Sequence, residues 1–163
     1  MELWDAYDRD CNRLEGVTLV RGEPVPEGVY HLVCDILVRH TDGEYLLTRR
    51  DLRKRVGGGL WEASAGGSVL RGETAPEGAL RELREETGIV ADALTEVGRE
   101  VNAQRRSIYV AYLCVTDCDK AGITLQEGET TDYRWVSRDA LLSMDATQLL
   151  PMRMMDFMVA QHL

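Results

Sequence analysis

The sequence predicts an α/β layered fold, in which strands and helices alternate and pack over a shared core. An α+β arrangement of the same elements is the alternative. The prediction depends on two patterns, a β-rich apolar run at 30–39 and a capped amphipathic helix at 75–87. The length of 163 residues, with 44% hydrophobic and 29% charged residues, is typical of one globular domain. We therefore predict a single domain over residues 1–163.

The first 27 residues form an extension of this domain. A Pro/Gly-rich segment, Gly22–Gly28, separates them from the apolar run that follows. The piece before it is too small to be a domain of its own. We predict that residues 1–27 form an N-terminal hairpin.

Strands and turns dominate the next part of the chain. Tyr30–Arg39 is nearly all apolar and predicts a buried strand. Asp42-Gly43 is a hairpin turn signal, and Glu44–Thr48 is the predicted second strand of that hairpin. After a loop at 57–59, a short strand is predicted at Trp61–Ala65, with Gly66-Gly67 as its end.

The clearest helix begins after Thr74 and ends before Gly88. Thr74 and Glu77 have the spacing of a capping box, and Pro76 lies in the first turn, where it is tolerated. Gly88 is a typical helix-ending residue. On a helical wheel one arc is predicted to face the core; it holds Pro76, Leu80, Leu83 and Thr87.

The rest of the chain predicts two strands and two helices. The strands are Ser107–Val115 and Tyr133–Val136, and Ser137 is the predicted cap of a short helix through Leu142. The tail from Met152 to His162 is predicted to be helical. Its methionines are expected to pack in a core or at a homodimer interface.

The charge balance excludes some functions. There are 28 acidic and 19 basic residues, a net charge of −9. Broad DNA binding and docking on an anionic membrane need clustered basic residues, so neither is expected. The chain does not begin with a basic segment followed by an apolar run, so no signal peptide is predicted. A chain of this length does not need disulfide bonds for stability, so its four cysteines are expected to be reduced. We therefore expect a cytoplasmic protein. The acidic excess serves solubility or holds cations.

The helix carries three carboxylates on one arc. These are Glu82, Glu85 and Glu86, with Arg81 four residues before Glu85. Such carboxylates repel one another, and a solvated acidic face is one interpretation. The other is a Mg²⁺ site, because this cation prefers carboxylate oxygens and often bridges them to substrate phosphates. Gly66-Gly67 favours the second interpretation, since a backbone without side chains allows close approach of a ligand.

The spacing of these residues is specific. The pattern runs through 67–89, with its fixed positions at Gly67, Glu73, Arg81-Glu82-Leu83, Glu85-Glu86 and Gly88-Ile89. It matches the Nudix box at every position, and the chain therefore resembles the Nudix hydrolase family. The resemblance implies an α/β/α sandwich with a mixed sheet, and a small-molecule substrate in which a nucleoside diphosphate is linked to another group, X.

The resemblance also implies roles for individual residues. Glu82, Glu85 and Glu86 would bind Mg²⁺ or Mn²⁺, with the Gly67 carbonyl as a further ligand, and Arg81 would orient the glutamates. Glu73 is more often a support for the box. The general base is left open between Glu82, Glu86 and a loop glutamate, for which Glu129 fits the family spacing better than Glu127.

Substrate contacts are predicted just before the box. Residues 49–55 hold five bases and one acid, and Arg50, or its neighbour Arg49, is a candidate phosphate ligand. An ordinary exposed basic loop is the competing interpretation. Trp61 is a candidate for stacking on a base, although burial in the core is the usual role of such a residue.

Two related functions are the alternatives. The N-terminal part resembles the isopentenyl-diphosphate isomerase branch of the superfamily, but residues 61–67 lack the cysteine of those isomerases. Some Nudix-like domains only bind a nucleotide and act as sensors, and these often lose box glutamates, which this chain retains. The substrate itself is not decided: sugar nucleotides, dinucleotides, nucleoside triphosphates, capped RNA and other diphosphates are all compatible.

Overall fold

A computed structural model of the chain describes residues 1–150 and 153–160. In chain order, the strands are β1 (Leu3–Tyr7), β2 (Arg13–Val20), β3 (His31–His40), β4 (Tyr45–Arg50), β5 (Trp61–Glu62), β6 (Ala65–Ser68), β7 (Thr95–Asn102), β8 (Ser107–Thr116) and β9 (Thr130–Val136). The helices are α1 (Ala75–Thr87), α2 (Arg138–Leu142) and α3 (Arg153–Ala160).

Seven of these strands form one mixed sheet. Its main path is β5-β4-β3-β8-β7, while β6 pairs with β3 and β9 pairs with β4. The central pair, β3 and β8, is parallel over ten residues, and the other pairs are antiparallel. The two long central strands are buried along most of their length, as their nearly continuous apolar sequences predict.

Helices cover both faces of this sheet. Because side chains alternate along a strand, Ile36 of β3 packs in one core cluster with Leu83 of α1. Its neighbour Leu37 packs on the other face with Leu141 of α2 and Met158 of α3. The α/β/α sandwich expected from the sequence is therefore confirmed.

Helix α1 has the predicted ends, and two of the four residues predicted to face the core are fully buried. Thr74 and Glu77 form the capping box, and Gly88 closes the helix with φ of 75°. Pro76, however, is exposed and Leu80 is only half-buried, so that part of the prediction is wrong. The helix instead turns its small residues, notably Ala79, against β6 and β3, because these allow the closest approach to the sheet.

One prediction about strands was wrong, and one strand was missed. Gly66-Gly67 does not end a strand: both lie in β6, which pairs with β3. The lack of side chains makes this pairing possible, since a Cβ atom on Gly66 would lie 2.7 Å from the Cys34 carbonyl oxygen. The strand β7 was not predicted at all, because six of its eight residues are polar or glycine and only β8 pairs with it among the described strands.

The two ends of the chain pack on this sandwich. Strands β1 and β2 form a separate two-stranded antiparallel sheet, the N-terminal hairpin. In α3, Met158 is fully buried and Met155 packs against the same cluster, one of the two outcomes expected for the tail. Met152 and His162, the predicted ends of that helix, lie outside the described residues. None of the helices in the described ranges is long and apolar enough to cross a membrane.

Candidate active site

Helix α1 presents three glutamates to a cleft of about 910 Å³. Glu82, Glu85 and Glu86 all line it, but to different depths. Glu86 is 8% exposed, Glu82 is half-buried and Glu85 is exposed. The helical wheel placed all three glutamates roughly opposite the arc predicted to face the core. In the structure α1 is oriented so that Glu86 lies at the edge of the core.

Strand β6 forms the floor of the cleft beside these carboxylates. The N–H of Gly66 donates to Oε2 of Glu86 at 3.0 Å. A Cβ atom on Gly67 would lie 2.5 Å from the carboxylate carbon of Glu82. The Gly67 carbonyl accepts a hydrogen bond from Cys34 Sγ at 3.4 Å and keeps a second lone pair. Glycine is therefore required here because the backbone itself contacts the glutamates.

Arg81 organises the acidic residues around it. Its Nη1 donates to Glu82 Oε1 at 2.8 Å and to Glu85 Oε2 at 3.2 Å. Its Nε and Nη2 donate to the two oxygens of Glu73, and Nη2 also reaches the Ser68 carbonyl. Burial raises the pKa of Glu82, although the Arg81 guanidinium opposes this. The Arg81 side chain thus holds two glutamates of the cleft together with the loop between β6 and α1, residues 69–74, which we call the box loop.

Glu86 is the most perturbed carboxyl group of the cleft. Burial raises its pKa to about 8, while the N–H of Gly66 opposes the rise. The negative charges of Glu82, Glu62 and Glu129 raise it further. A buried carboxylate among other carboxylates is unfavourable, and a cation beside it would reverse that penalty.

Two basic side chains line the same cleft, and each has an acidic partner. Arg50 Nη1 donates to Glu62 Oε2 at 2.6 Å. Lys54 Nζ is ion-paired with Glu129. Both bases and Glu129 line the cleft, whereas Glu127, the alternative loop glutamate, is exposed and lies outside it. The structure therefore brings Arg50 and Glu129 together with the box glutamates.

The structure does not place Arg49 or Trp61 in this cleft. Successive residues of β4 point to opposite faces, so Arg49 turns away when Arg50 faces the cleft. The Nε of Arg49 donates to the Gly59 carbonyl at 2.9 Å. Trp61 packs with its ring 4.1 Å from the Arg134 guanidinium and 6.0 Å from that of Arg49. The Trp61 ring therefore lies outside the cleft. The nucleobase of a substrate bound in the cleft would not contact it.

Sequence reasoning missed several residues of the cleft. Lys54 lies in the basic run already singled out, and its ion pair with Glu129 spans 75 positions, so no local pattern reveals it. Glu62, which does not line the cleft but pairs with Arg50 there, was overlooked because an isolated acid has no recognisable spacing. The N-terminal hairpin contributes a further group, which lines the cleft through Met1, Glu2, Leu3, Trp4 and Arg21.

The donor atoms fit a hard divalent cation. Three carboxylates and the Gly67 carbonyl offer oxygen ligands, the type that Mg²⁺ and Mn²⁺ prefer. Within residues 1–150 and 153–160, no group of three or more His, Cys, Asp or Glu side chains is placed so that it could hold a metal ion by itself. A cation here would complete its shell with water and substrate oxygens, which is usual for Mg²⁺.

The segment that carries a cysteine in isomerases holds a buried serine. Ser64 Oγ donates to the Leu46 carbonyl at 2.7 Å and accepts from the N–H of Val38 at 2.8 Å. Cys34 is close to the cleft floor, but burial raises its pKa to about 12. Ser64 therefore supports the strands, and the Cys34 thiol stays protonated at neutral pH.

Sequence comparison finds a matching family and several relatives. The family described as the NUDIX domain matches residues 29–154. A Nudix hydrolase of Listeria monocytogenes is 33% identical over 142 residues, which are 86% of this chain and 83% of that protein. An isopentenyl-diphosphate Delta-isomerase of Salmonella heidelberg is 31% identical over 110 residues, or 64% of this chain and 61% of that protein.

Comparison with solved structures supports the fold over nearly the whole chain. A crystal structure of a Deinococcus radiodurans protein superposes with a TM-score of 0.77 and covers 98% of both chains. The two sequences are 20% identical, so this likeness concerns the fold alone. It includes the N-terminal hairpin, which lies before the residues matched by the family.

Proposed function

Because the chain belongs to the Nudix hydrolase family and is a pyrophosphohydrolase of that family, we propose that it cleaves the diphosphate linkage of a nucleoside diphosphate joined to another group, X. Nudix enzymes generally use divalent metal ions. The proposed cofactor is Mg²⁺ or Mn²⁺, held by Glu82, Glu85, Glu86 and the Gly67 carbonyl. The observation that carries the proposal is one cleft lined by these glutamates and by Arg50 and Lys54.

The basic residues would bind the diphosphate. Arg50 is held at the cleft by Glu62, and its guanidinium matches the geometry of phosphate oxygens. Lys54 offers an ammonium group beside Glu129. When bound, the cation would acidify a water molecule and neutralise charge on the diphosphate oxygens. Arg81 acts as a positioning residue, since it holds Glu82 and Glu85 in place.

The general base is proposed to be Glu129, with Glu82 and Glu86 as the other candidates. Glu129 lines the cleft on a loop outside the box, so it could take a proton without serving as a metal ligand. Its carboxylate is ion-paired with Lys54. A bound diphosphate would compete for the Lys54 ammonium and so release the Glu129 carboxylate.

The proposal is tested with purified protein and a set of diphosphate-linked nucleotides, with and without Mg²⁺ or Mn²⁺. We expect metal-dependent release of two phosphate-containing products. Glu85→Gln and Glu86→Gln should each lower kcat/KM by more than ~100-fold, because even outer-shell partners of a metal contribute roughly 10–100-fold. Asp92→Asn, which removes an exposed acid just beyond α1, is the matched control.

Two further variants separate the candidate bases. Glu129→Gln should lower kcat by ~100-fold or more with little change in metal affinity. Glu86→Gln should lower both. Glu127→Gln, on the same loop but outside the cleft, should match wild type. Wild-type protein that binds one nucleotide but hydrolyses none would contradict the proposal and favour a sensor.

The isomerase is the second candidate, because a curated isomerase is similar over 64% of the chain. Against it stand the buried Ser64 and the deeply buried, protonated thiol of Cys34. Incubation with isopentenyl diphosphate and Mg²⁺ decides the matter: dimethylallyl diphosphate would be formed only by an isomerase.

The remaining proposals concern location and assembly. All four cysteines are free thiols, which supports a cytoplasmic location. We also propose a homodimer. Size-exclusion chromatography with light scattering would test this by measuring the mass of the protein in solution. Neither DNA nor a membrane is proposed as a partner.

A further inference from the structure

The N-terminal hairpin forms part of the cleft although it lies outside the family match. That match begins at residue 29, and β1 and β2 end at Val20. Nevertheless Glu2, Trp4 and Arg21 line the same cleft as the box glutamates. An element outside the residues matched by the family is therefore placed where it can contact a substrate.

The hairpin is docked on the box loop by specific contacts. The N–H of Arg71 donates to the Leu3 carbonyl, and the N–H of Gly72 donates to Asp5 Oδ2, both at 2.8 Å. Trp4 stacks on His31 of β3, with ring centroids 4.2 Å apart and an interplanar angle of 11°. These contacts hold the hairpin at a defined place beside the cleft.

Arg21 is fixed within this arrangement but remains accessible. Its backbone N–H donates to the Glu2 carbonyl at 3.0 Å, and its Nη1 donates to Glu2 Oε2 at 2.6 Å. The other oxygen of Glu2 accepts from Trp4 Nε1 at 2.8 Å. The Arg21 side chain is 66% exposed. A preoriented yet accessible guanidinium can bind an anion at little cost in side-chain entropy.

The charge of Arg21 interacts with two glutamates of the cleft. Its pKa lies above the ordinary value mainly because of the hydrogen bond to Glu2, and the charges of Glu129 and Glu82 raise it further. Arg21 also shares a pattern with Arg50 and Lys54. In the described part of the chain, each of these three cleft bases is ion-paired with a single acid.

The cleft favours recognition through charge. Among the described residues that line it, ten are charged, and Trp4 is the single aromatic side chain. One face of that ring is already covered by His31. Stacking on a nucleobase is therefore not favoured here. Phosphate oxygens, in contrast, would meet basic side chains from several segments of the chain. An exposed ion pair such as Arg21–Glu2 adds little to stability, so a structural role is a weak explanation for it.

We propose that Arg21 of the N-terminal hairpin is a substrate-binding residue that contacts phosphate oxygens, as a third basic group beside Arg50 and Lys54. This rests on the proposed diphosphate hydrolase function. Glu2 is the positioning residue that aims the Arg21 guanidinium at the cleft.

The test compares Arg21→Ala with Arg9→Ala, which removes an equal charge from an exposed position of the hairpin turn. We expect Arg21→Ala to raise KM by ~10–100-fold, the range for a lost hydrogen bond to a charged group, with kcat changed by less than ~3-fold. The Kd for α,β-methylene-ADP with Mg²⁺, measured by calorimetry, should rise in parallel. Arg21→Lys should restore part of the affinity, and the Arg9 variant should match wild type.

The outcomes separate the two proposals. If wild type hydrolyses a diphosphate and Glu86→Gln abolishes this, but the Arg21 and Arg9 variants behave alike, the Arg21 inference is overturned and the proposed function stands. A fall in kcat with unchanged KM and Kd would also overturn it. If wild type hydrolyses none of the substrates, the proposed function fails, and binding of inorganic pyrophosphate to the same variants still decides the role of Arg21.

Discussion

Arg81 illustrates how much one residue contributes to this cleft. Its guanidinium contacts three glutamates and one carbonyl, so the box loop, Glu82 and Glu85 are positioned together. The sequence predicted its contact with Glu85 from helical spacing. The double hydrogen bond to Glu73 was not predictable in the same way, because Glu73 lies before the helix, where helical spacing does not give its position.

Arg81→Lys should therefore be a damaging substitution although it keeps the charge. An ammonium lacks the planar five-donor geometry and cannot replace all these hydrogen bonds. We expect the affinity for Mn²⁺ and kcat/KM to fall by ~10–100-fold, the usual cost of losing an outer-shell contact. Calorimetric titration with Mn²⁺ and steady-state kinetics would measure this. Arg84→Lys, exposed on the same helix, should behave as wild type; equal effects of both would contradict the argument.

At the scale of elements, helix α1 and strand β6 together create the site. The caps of α1 were predicted correctly because they depend on residues within one turn of each end. Half of its buried face was predicted incorrectly, at Pro76 and Leu80, because a wheel ranks residues by hydrophobicity, whereas close packing on the sheet selects small ones such as Ala79. The rotation that follows is what buries Glu86.

The close pairing of β6 and β3 makes Gly66→Ala a test of this arrangement. The new Cβ atom would lie 2.7 Å from the Cys34 carbonyl oxygen, so the strands must separate. We expect a loss of roughly 1–3 kcal/mol in the free energy of unfolding, as for other overpacked sites. Each kcal/mol lowers Tm by about 2–4 °C in a protein of this size. Thermal denaturation measures this.

Activity should fall with it, because the N–H of Gly66 binds Glu86. Gly122→Ala is a suitable control, since Gly122 lies in an exposed turn and the nearest atom to a new Cβ would be 3.2 Å away. Equal Tm values for Gly66→Ala and wild type would show that β6 and β3 are not closely paired.

At the scale of the whole molecule, the hairpin and the sandwich meet at a buried histidine. Burial lowers the pKa of His31, although the Arg106 carbonyl and Glu2 oppose this. The unfolded chain therefore takes up a proton near pH 6.5 that the folded protein resists. This contribution to stability is complete above about pH 6.5 and is lost as the pH falls below it.

We predict that His31→Gln removes this dependence. The unfolding free energy of wild type relative to that of the variant, from urea denaturation between pH 5.5 and 7.5, should fall on acidification. The difference between the two proteins is the relevant quantity. Glu86, whose raised pKa makes stability fall as pH rises from 4.5 to about 8, acts equally in both. A constant difference across this range would contradict the prediction.

The sequence alone determined the family pattern, the capped helix and the long central strands. These depend on residues near one another in the chain, so spacing and periodicity reveal them. The tertiary structure decided which residues share the cleft. It placed Arg50 inside and Arg49 and Trp61 outside, paired Lys54 with Glu129, and added Glu2 and Arg21 from the hairpin. Such contacts join segments up to 75 positions apart, and the orientation of each side chain depends on sheet register and on packing across layers, which no local pattern encodes.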